Sequence, residues 1–326
     1  MRALICGVGG QDGSYLAKLL CDKGYEVWGS SRDAQMATFA NLDRLQVREK
    51  VVTRSIAPND FRSVLTVFQD CQPDEVYFLA SQSSVGLSFE QPAETLESIT
   101  MGALNLMEAI RLLRRPIRFY HASSSECFGD IGTNAANEST PFAPCSPYAV
   151  AKASAHWLVA NYREAYGLHA CNGILFNHES PLRPARFVTQ KIVSTACRIA
   201  SGSGERLTLG RLDIVRDWGW APEYVEGMWR ILQNDAPRDY VLATGEASTL
   251  ESFVSTAFEC LDMDWREHVA SDPNLFRPTD LSWSQGDPSL VARELGWTAQ
   301  LRMPDVVSEM VRAFQEKSAA HRMSSL

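Results

Sequence analysis

Glycines at positions 7, 10 and 13 constrain this chain more than any other feature, because of where they fall. They follow Arg2 to Cys6, a short apolar run that reads as a buried strand. They precede Ser14 to Lys23, which reads as a helix with Tyr15, Leu16, Leu19 and Leu20 on its apolar side. Glycine in such a turn lets the backbone bend tightly and approach a pyrophosphate, which the following helix N-terminus favours electrostatically. A glycine triplet alone is a weak signal. A triplet between the first strand and its helix is the expected context of a phosphate-cradling turn built from Gly7, Gly10, Gln11, Asp12 and Gly13.

The pattern then repeats. Glu26 to Gly29, Val51 to Thr53, Glu75 to Ala80, Ile117 to His121 and Ala170 to Phe176 read as further strands. Helical stretches at Phe61 to Gln69, Thr100 to Leu113 and Tyr148 to Tyr166 separate them. Strands alternating with helices predict an α/β fold, a doubly wound parallel sheet covered on both faces. After about residue 178 the alternation loosens, and arginines, prolines and aromatics become frequent. The expected division is a main domain over 1–177 and a smaller, substrate-covering C-terminal lobe over 178–326, with some segments returning to the main domain.

With 45% hydrophobic and 21% charged residues, 326 positions suit such a division. The net charge of −8 argues against a nucleic-acid partner, which calls for a basic face, but leaves anionic substrates open. The eight cysteines are scattered, with no Cys-x-x-Cys pair and no histidine at ligand spacing. They read as core residues of a reducing compartment, and no metal site is expected. No signal peptide and no bilayer-spanning run is evident, so a cytoplasmic protein away from membranes is expected. Only Ala319 to Leu326 looks frayed.

Arg32 and Asp33 follow the second strand. An arginine there accommodates a ribose 2′-phosphate and an acidic residue binds the 2′-hydroxyl, so the pair leans to NADP and leaves NAD open. Further on, Ser124 and Glu126 follow a strand whose carboxyl end should face the ligand crevice. Tyr148 and Lys152 stand four apart and share a helix face. A lysine ammonium beside the phenol should lower its pKa and make it a usable base, while the serine hydroxyl holds the same substrate oxygen.

These residues carry a resemblance. The chain resembles the extended short-chain dehydrogenase/reductase superfamily and, within it, the GDP-mannose 4,6-dehydratase family. The likeness runs through Gly-Gln-Asp-Gly-Ser-Tyr-Leu (10–16), Ser-Pro-Tyr-Ala-Val-Ala-Lys (146–152), Gly-Ile-Leu-Phe-Asn-His-Glu-Ser-Pro (173–181) and Arg-Asp-Trp-Gly (216–219). It implies a Rossmann domain and a lyase that oxidises C4 of a nucleotide-bound hexose, eliminates water across C5 and C6, and returns the hydride to C6. Tyr148, Lys152 and Ser124 would serve the oxidation and Glu126 the elimination. Leu79, Ala80, Ser83, His178 and Arg183 would join the cofactor site. Asn177, Lys191, Arg216 and Arg277 would hold the nucleoside diphosphate, with Asp280 in the same pocket. The resemblance also implies a homodimer or homotetramer.

The chain departs from the family pattern at Arg32-Asp33, at Ser55-Ile56-Ala57, at Cys145, at Asp280 in place of glutamate and at Leu290 in place of lysine. An epimerase or reductase on the same scaffold, a dehydratase of another sugar nucleotide, and a non-catalytic cofactor-sensing protein stay open on the sequence.

Overall fold

The computed structural model describes residues 1–324, with side chains through Ser318. In chain order β1 (Arg2–Cys6), α1 (Gln11–Asp22), β2 (Glu26–Ser31), α2 (Ala40–Arg44), β3 (Val51–Ser55), α3 (Phe61–Cys71) and β4 (Glu75–Phe78) come first. Next α4 (Val85–Glu90), α5 (Pro92–Leu96), a π-helical turn (Glu97–Met101) and α6 (Gly102–Leu113) lead to β5 (Arg118–Ser124). The chain continues with β6 (Ala135–Ala136), α7 (Pro147–Tyr166), β7 (Ala170–Leu175) and β8 (Asn177–Glu179). The later part holds α8 (Val188–Ala200), β9 (Leu207–Leu209), β10 (Val215–Trp220), α9 (Ala221–Gln233), β11 (Tyr240–Leu242) and β12 (Ala247–Thr249). It ends with α10 (Leu250–Glu259), β13 (Val269–Ser271), β14 (Trp283–Gly286), α11 (Ser289–Leu295) and α12 (Met303–Ser324).

Seven strands form the main sheet in the order β11-β7-β5-β4-β1-β2-β3. Every neighbouring pair in it is parallel. The chain winds one way from β1 and the other way from β4, so a crevice opens beyond the carboxyl ends of these two strands. One face buries Leu16, Ala17 and Leu20 of α1 with Val225, Met228 and Ile231 of α9. The other buries Val64 and Phe68 of α3, Leu106 and Ile110 of α6, and Ala155 and Val159 of α7. Two elements of the second half, α9 and β11, thus complete the sheet and its cover. Leu290, where the family pattern has lysine, also packs against this core and lines neither of the two main cavities.

β10 is the hub of a second sheet, with β12 antiparallel to it and β8 and β14 parallel. Helices α8, α10 and α12 cover this region through Val193, Phe253, Val254, Val307 and Met310. The buried Asp217 carboxylate on β10 joins the sheets. It accepts hydrogen bonds from Thr244 N (2.9 Å), Thr244 Oγ1 (2.7 Å) and Gly245 N (3.0 Å), just past β11, and from Gly286 N on β14 (3.4 Å). Burial pushes this carboxyl up to about 6 against the pull of those donors.

Boundaries differ from the sequence reading for local reasons. Helix α1 starts at Gln11, with Gly10 as its N-cap, so Gly13 lies inside the first turn. A Cβ at Gly13 would sit 2.3 Å from Gly7 O and 2.7 Å from Val8 Cα. β4 stops at Phe78 because its partner Cys6 is the last residue of β1 before the chain turns at Gly7, φ +89°. β5 runs on to Ser124, paired with Leu175. The tail expected to fray stays helical through Ser324, and Ser325 and Leu326 lie outside the described residues. Five cysteines are buried, Cys21 is half-buried, Cys145 and Cys260 are exposed, and all are free. Among the described residues no helix is long and apolar enough to cross a membrane.

Candidate active site

Two cavities meet at the carboxyl ends of the main strands. The first, about 720 Å³, lies over the glycine turn and is lined by Gly7, Gly10, Gln11, Asp12, Gly13 and Arg32 among others. Gly7 N and Val8 N donate to Ser30 O at 3.0 and 3.2 Å, and Gly10 N donates to Gly7 O at 3.1 Å. These bonds hold the turn flat against the sheet, with the first amides of α1 facing the cavity. Leu79, Ala80 and Ser83 line the opposite wall. Ile56, in the segment Ser55-Ile56-Ala57 that departs from the family pattern, also faces it. Arg32 is exposed at the rim and ion-paired to Glu94 at 3.0 Å. Asp33 is not among the lining residues; its Oδ1 accepts from Gln35 N and Met36 N at 3.0 and 3.1 Å, closing its own turn.

Gln11 and Asp12 do more than line this wall. Gln11 Nε2 donates to His178 O at 3.1 Å, and Ser180 Oγ donates to Gln11 Oε1 at 2.8 Å. His178 Nε2 lies 3.0 Å from Asp12 Oδ2 and Nδ1 lies 2.7 Å from Phe176 O. Both ring nitrogens face acceptors, an arrangement only the imidazolium satisfies fully. Burial disfavours that charge, but Asp12's charge and hydrogen bond outweigh it and raise the His178 pKa. Burial likewise works against the Asp12 carboxylate, yet His178, Gln11 and Arg183 bring it down to about 2. The ring of His178 stacks on Tyr224 with centroids 4.6 Å apart.

The second cavity, about 380 Å³, is lined by Ser124, Glu126, Tyr148 and Lys152 on the main-sheet side, and by Asn177 and His178 of β8. Arg183, Lys191, Arg216 and Arg277 line the lobe side. Asp12, Leu79, Ser83 and Arg183 border both cavities, which are therefore continuous. Local sequence explains the placement. Ser146 Oγ accepts from Ala149 N and Pro147 takes the first helical position, so α7 begins just before Tyr148. Ser124 ends β5, and a short 3-10 turn, Ser125–Phe128, brings Glu126 round into the same cavity.

The expected effect of Lys152 on Tyr148 is not met. Burial pushes the phenol well above its ordinary value, and the hydrogen bond with Ser124 is the largest influence opposing that rise, followed by the more distant charge of Arg183. Lys152 Nζ sits 5.9 Å from the phenol ring centroid and donates to Ala122 O at 2.7 Å. The ammonium is thus committed to the main chain at the end of β5. Burial lowers Lys152 to about 8, so it is still largely charged at neutral pH. Glu126 is raised by burial, while the charges of Arg216 and Arg277 oppose the rise and Asp280 adds to it. Glu126 is thereby a stronger base than a surface carboxylate.

Asp280 lies behind the cavity wall. Arg216 Nη2 donates to its Oδ1 at 2.9 Å and Arg277 Nη1 lies 3.5 Å from it. Arg216 is further fixed by the carbonyls of Val215 and Leu281, at 2.9 and 2.8 Å. Asp280 therefore orients the two arginines, where the sequence had placed it among the direct substrate contacts. Lys191 Nζ donates to Thr208 O at 2.7 Å. Trp218, Ile214 and Arg186 also line the cavity and were missed. Trp218 sits in Arg-Asp-Trp-Gly, a stretch whose specificity was the available signal.

Comparison with known proteins follows the same lines. The family described as GDP-mannose 4,6 dehydratase matches residues 4–310. A "GDP-mannose 4,6-dehydratase" of Sinorhizobium fredii is 45% identical, covering 95% of this chain and 95% of its own. "GDP-mannose 4,6 dehydratase 1" of Arabidopsis thaliana is 43% identical, covering 95% of this chain and 88% of its own. Among solved structures, the Thermus thermophilus UDP-glucose 4-epimerase complex with NAD superposes with a TM-score of 0.84 at 25% identity. That match covers 97% of this chain and 99% of the epimerase.

Proposed function

Because the chain belongs to the GDP-mannose 4,6-dehydratase family, we propose that it is a lyase converting GDP-mannose to GDP-4-keto-6-deoxymannose. The carrying observation is Glu126, a half-buried carboxylate of raised pKa in the same cavity as Ser124 and Tyr148. An epimerase has no need of a base at that place, whereas elimination across C5 and C6 does.

The glycine turn and the amides of α1 fit a dinucleotide pyrophosphate: a Cβ at Gly7 or Gly13 would strike the main chain of Ala80 or of Gly7 and Val8, so glycine is what lets the turn lie this close to the helix start. A nicotinamide cofactor, when bound, accepts two electrons from C4 and gives them back at C6 within one turnover. We assign NADP: Arg32 borders the cavity, whereas the Asp33 carboxylate is occupied by backbone amides. Tyr148 takes the C4 hydroxyl proton, with the Ser124 hydroxyl steadying the phenolate. Glu126 then removes the proton at C5, made acidic by the adjacent ketone, and delivers it to the departing C6 hydroxyl, which leaves as water. C5 finally regains one proton, equal to the one Tyr148 took, so the proton count closes. Lys152 holds Ala122 and the end of β5 in place. Arg216, Arg277 and Lys191 bind the nucleoside diphosphate, with Asn177 beside them.

We further assign a homodimer or homotetramer. Exposed Leu96, Met101, Val150 and Trp157, on α5, the π turn and the α7 helix packed against them, support it. The free cysteines support a cytoplasmic location. The deciding experiment is a product mass after incubation with GDP-mannose and either NADP+ or NAD+. Loss of one water without net cofactor reduction is expected with NADP+. An unchanged mass refutes the GDP-mannose dehydratase reading in favour of an epimerase or another sugar nucleotide.

A further inference from the structure

The cations bordering the two cavities nearly all have an oxygen partner. Arg32 has Glu94, Lys152 has Ala122 O, Arg183 has Glu179 at 3.2 Å, Lys191 has Thr208 O, and Arg216 and Arg277 share Asp280. Arg186 is the exception: it borders both cavities and has no hydrogen-bond or ion-pair partner among the described residues. Its guanidinium lies over Phe187, 5.2 Å from the ring centroid, and that of Arg183 lies over the same ring at 3.9 Å. The ring steadies the planar group while leaving its N–H donors unused.

Phe187 is also the N-cap residue of α8, and it caps with no side-chain hydrogen bond. Phe187, Val188 and Thr189 line the smaller cavity, so the first turn of a 13-residue helix opens onto it. Unpaired amides at that turn and a free guanidinium two residues earlier favour the same kind of ligand, a multiply charged oxyanion. We infer that Arg186 is a substrate-binding residue that clamps the diphosphate of the nucleotide sugar against the N-terminus of α8. The inference rests on the assignment of the smaller cavity to a nucleotide sugar.

The test is calorimetric binding of GDP and, separately, of NADPH to the full chain and to its Arg186→Gln and Arg186→Lys variants. Arg186 is exposed, so both variants should fold, which circular dichroism and thermal unfolding check. Arg186→Gln should weaken GDP binding by about tenfold to a hundredfold, the range of a charge-assisted hydrogen bond. NADPH affinity should stay unchanged. Arg186→Lys should recover part of the loss as a point charge. The slope of GDP affinity with salt should be shallower in Arg186→Gln, a signature that a mere packing role would not give. Unchanged GDP affinity, a loss confined to NADPH, or an equal loss for both ligands would overturn the inference. If the parent chain binds NADPH but not GDP, the GDP-sugar reading itself fails.

Discussion

On the proposed function, the two cavities would hold anions mainly by different means. Over the glycine turn the backbone would do the work: Gly7 and Gly13 stand where a Cβ would strike the main chain, and the residues that open α1 line the cavity. In the smaller cavity it would be done mainly by side-chain charge: Arg216, Arg277 and Lys191 are brought from separate segments and held by Asp280 and main-chain carbonyls. A backbone site fails when a shape is filled, and a charge site fails when a counter-charge is lost. Tyr148 and Glu126 line the smaller cavity alone, while Asp12, Leu79, Ser83 and Arg183 mark its boundary with the larger one.

The largest expected effect tests that boundary. Glu126→Gln keeps the shape and removes the base, so the rate of water loss should fall by about 10²- to 10⁴-fold. NADPH and GDP affinities, measured by calorimetry, should barely move. A parallel loss of cofactor affinity would mean that Glu126 belongs to the scaffold of both cavities.

Filling the turn comes next. Gly13→Ala drives a Cβ into two backbone positions that cannot yield. It should cost about 1–3 kcal/mol of stability, read by denaturant unfolding, and weaken NADPH binding. GDP binding by the folded fraction should survive. Gly10→Ala, whose Cβ would approach only Gly7 O at 3.3 Å, should be milder on both counts.

Removing the counter-charge should show the converse. Asp280→Asn frees Arg216 and Arg277 from their common anchor. The KM for GDP-mannose should rise about tenfold with a smaller change in kcat and none in NADPH affinity. A change in kcat alone would place Asp280 in the chemistry instead.

The smallest effect concerns the pair joining the two regions. The raised His178 pKa means its stabilisation is complete below the ordinary histidine pKa and is lost as pH rises through the folded value. The lowered Asp12 pKa means its share is present above the ordinary carboxylate pKa and lost only as pH falls through about 2. The Tm difference between the parent chain and His178→Gln should therefore be greatest near pH 6 and shrink toward pH 9. A difference that grows with pH would show that the ring is held neutral.

The same contrast explains what could be read in advance. The glycine turn, the main-sheet strands β1 to β5 and β7, and the Tyr148–Lys152 spacing are local, so neighbouring residues declare them. Arg216 and Asp280 are 64 positions apart, and nothing in either neighbourhood signals their pairing. β11 and β6 span three and two residues, too short for any periodicity, and exist because the edges of β7 and β14 accept them. The direction in which Lys152 points, toward Ala122 rather than the phenol, depends on where β5 ends, which the sequence reading placed three residues early. Arg186 was passed over because an exposed arginine in a loop carries no pattern of its own.

The seventh strand also sets a timetable for synthesis. β11 and the covering helix α9 come from residues 221–242, and the same core takes in Val291, Trp297 and Ala299. A ribosome that has released only the first 177 residues has made every strand of the main sheet except its β11 edge, but not the helix that shields Leu16 and Leu20. The nascent chain must wait with that apolar face uncovered until most of the message has been read, which makes this interval the time when a chaperone has most to hold.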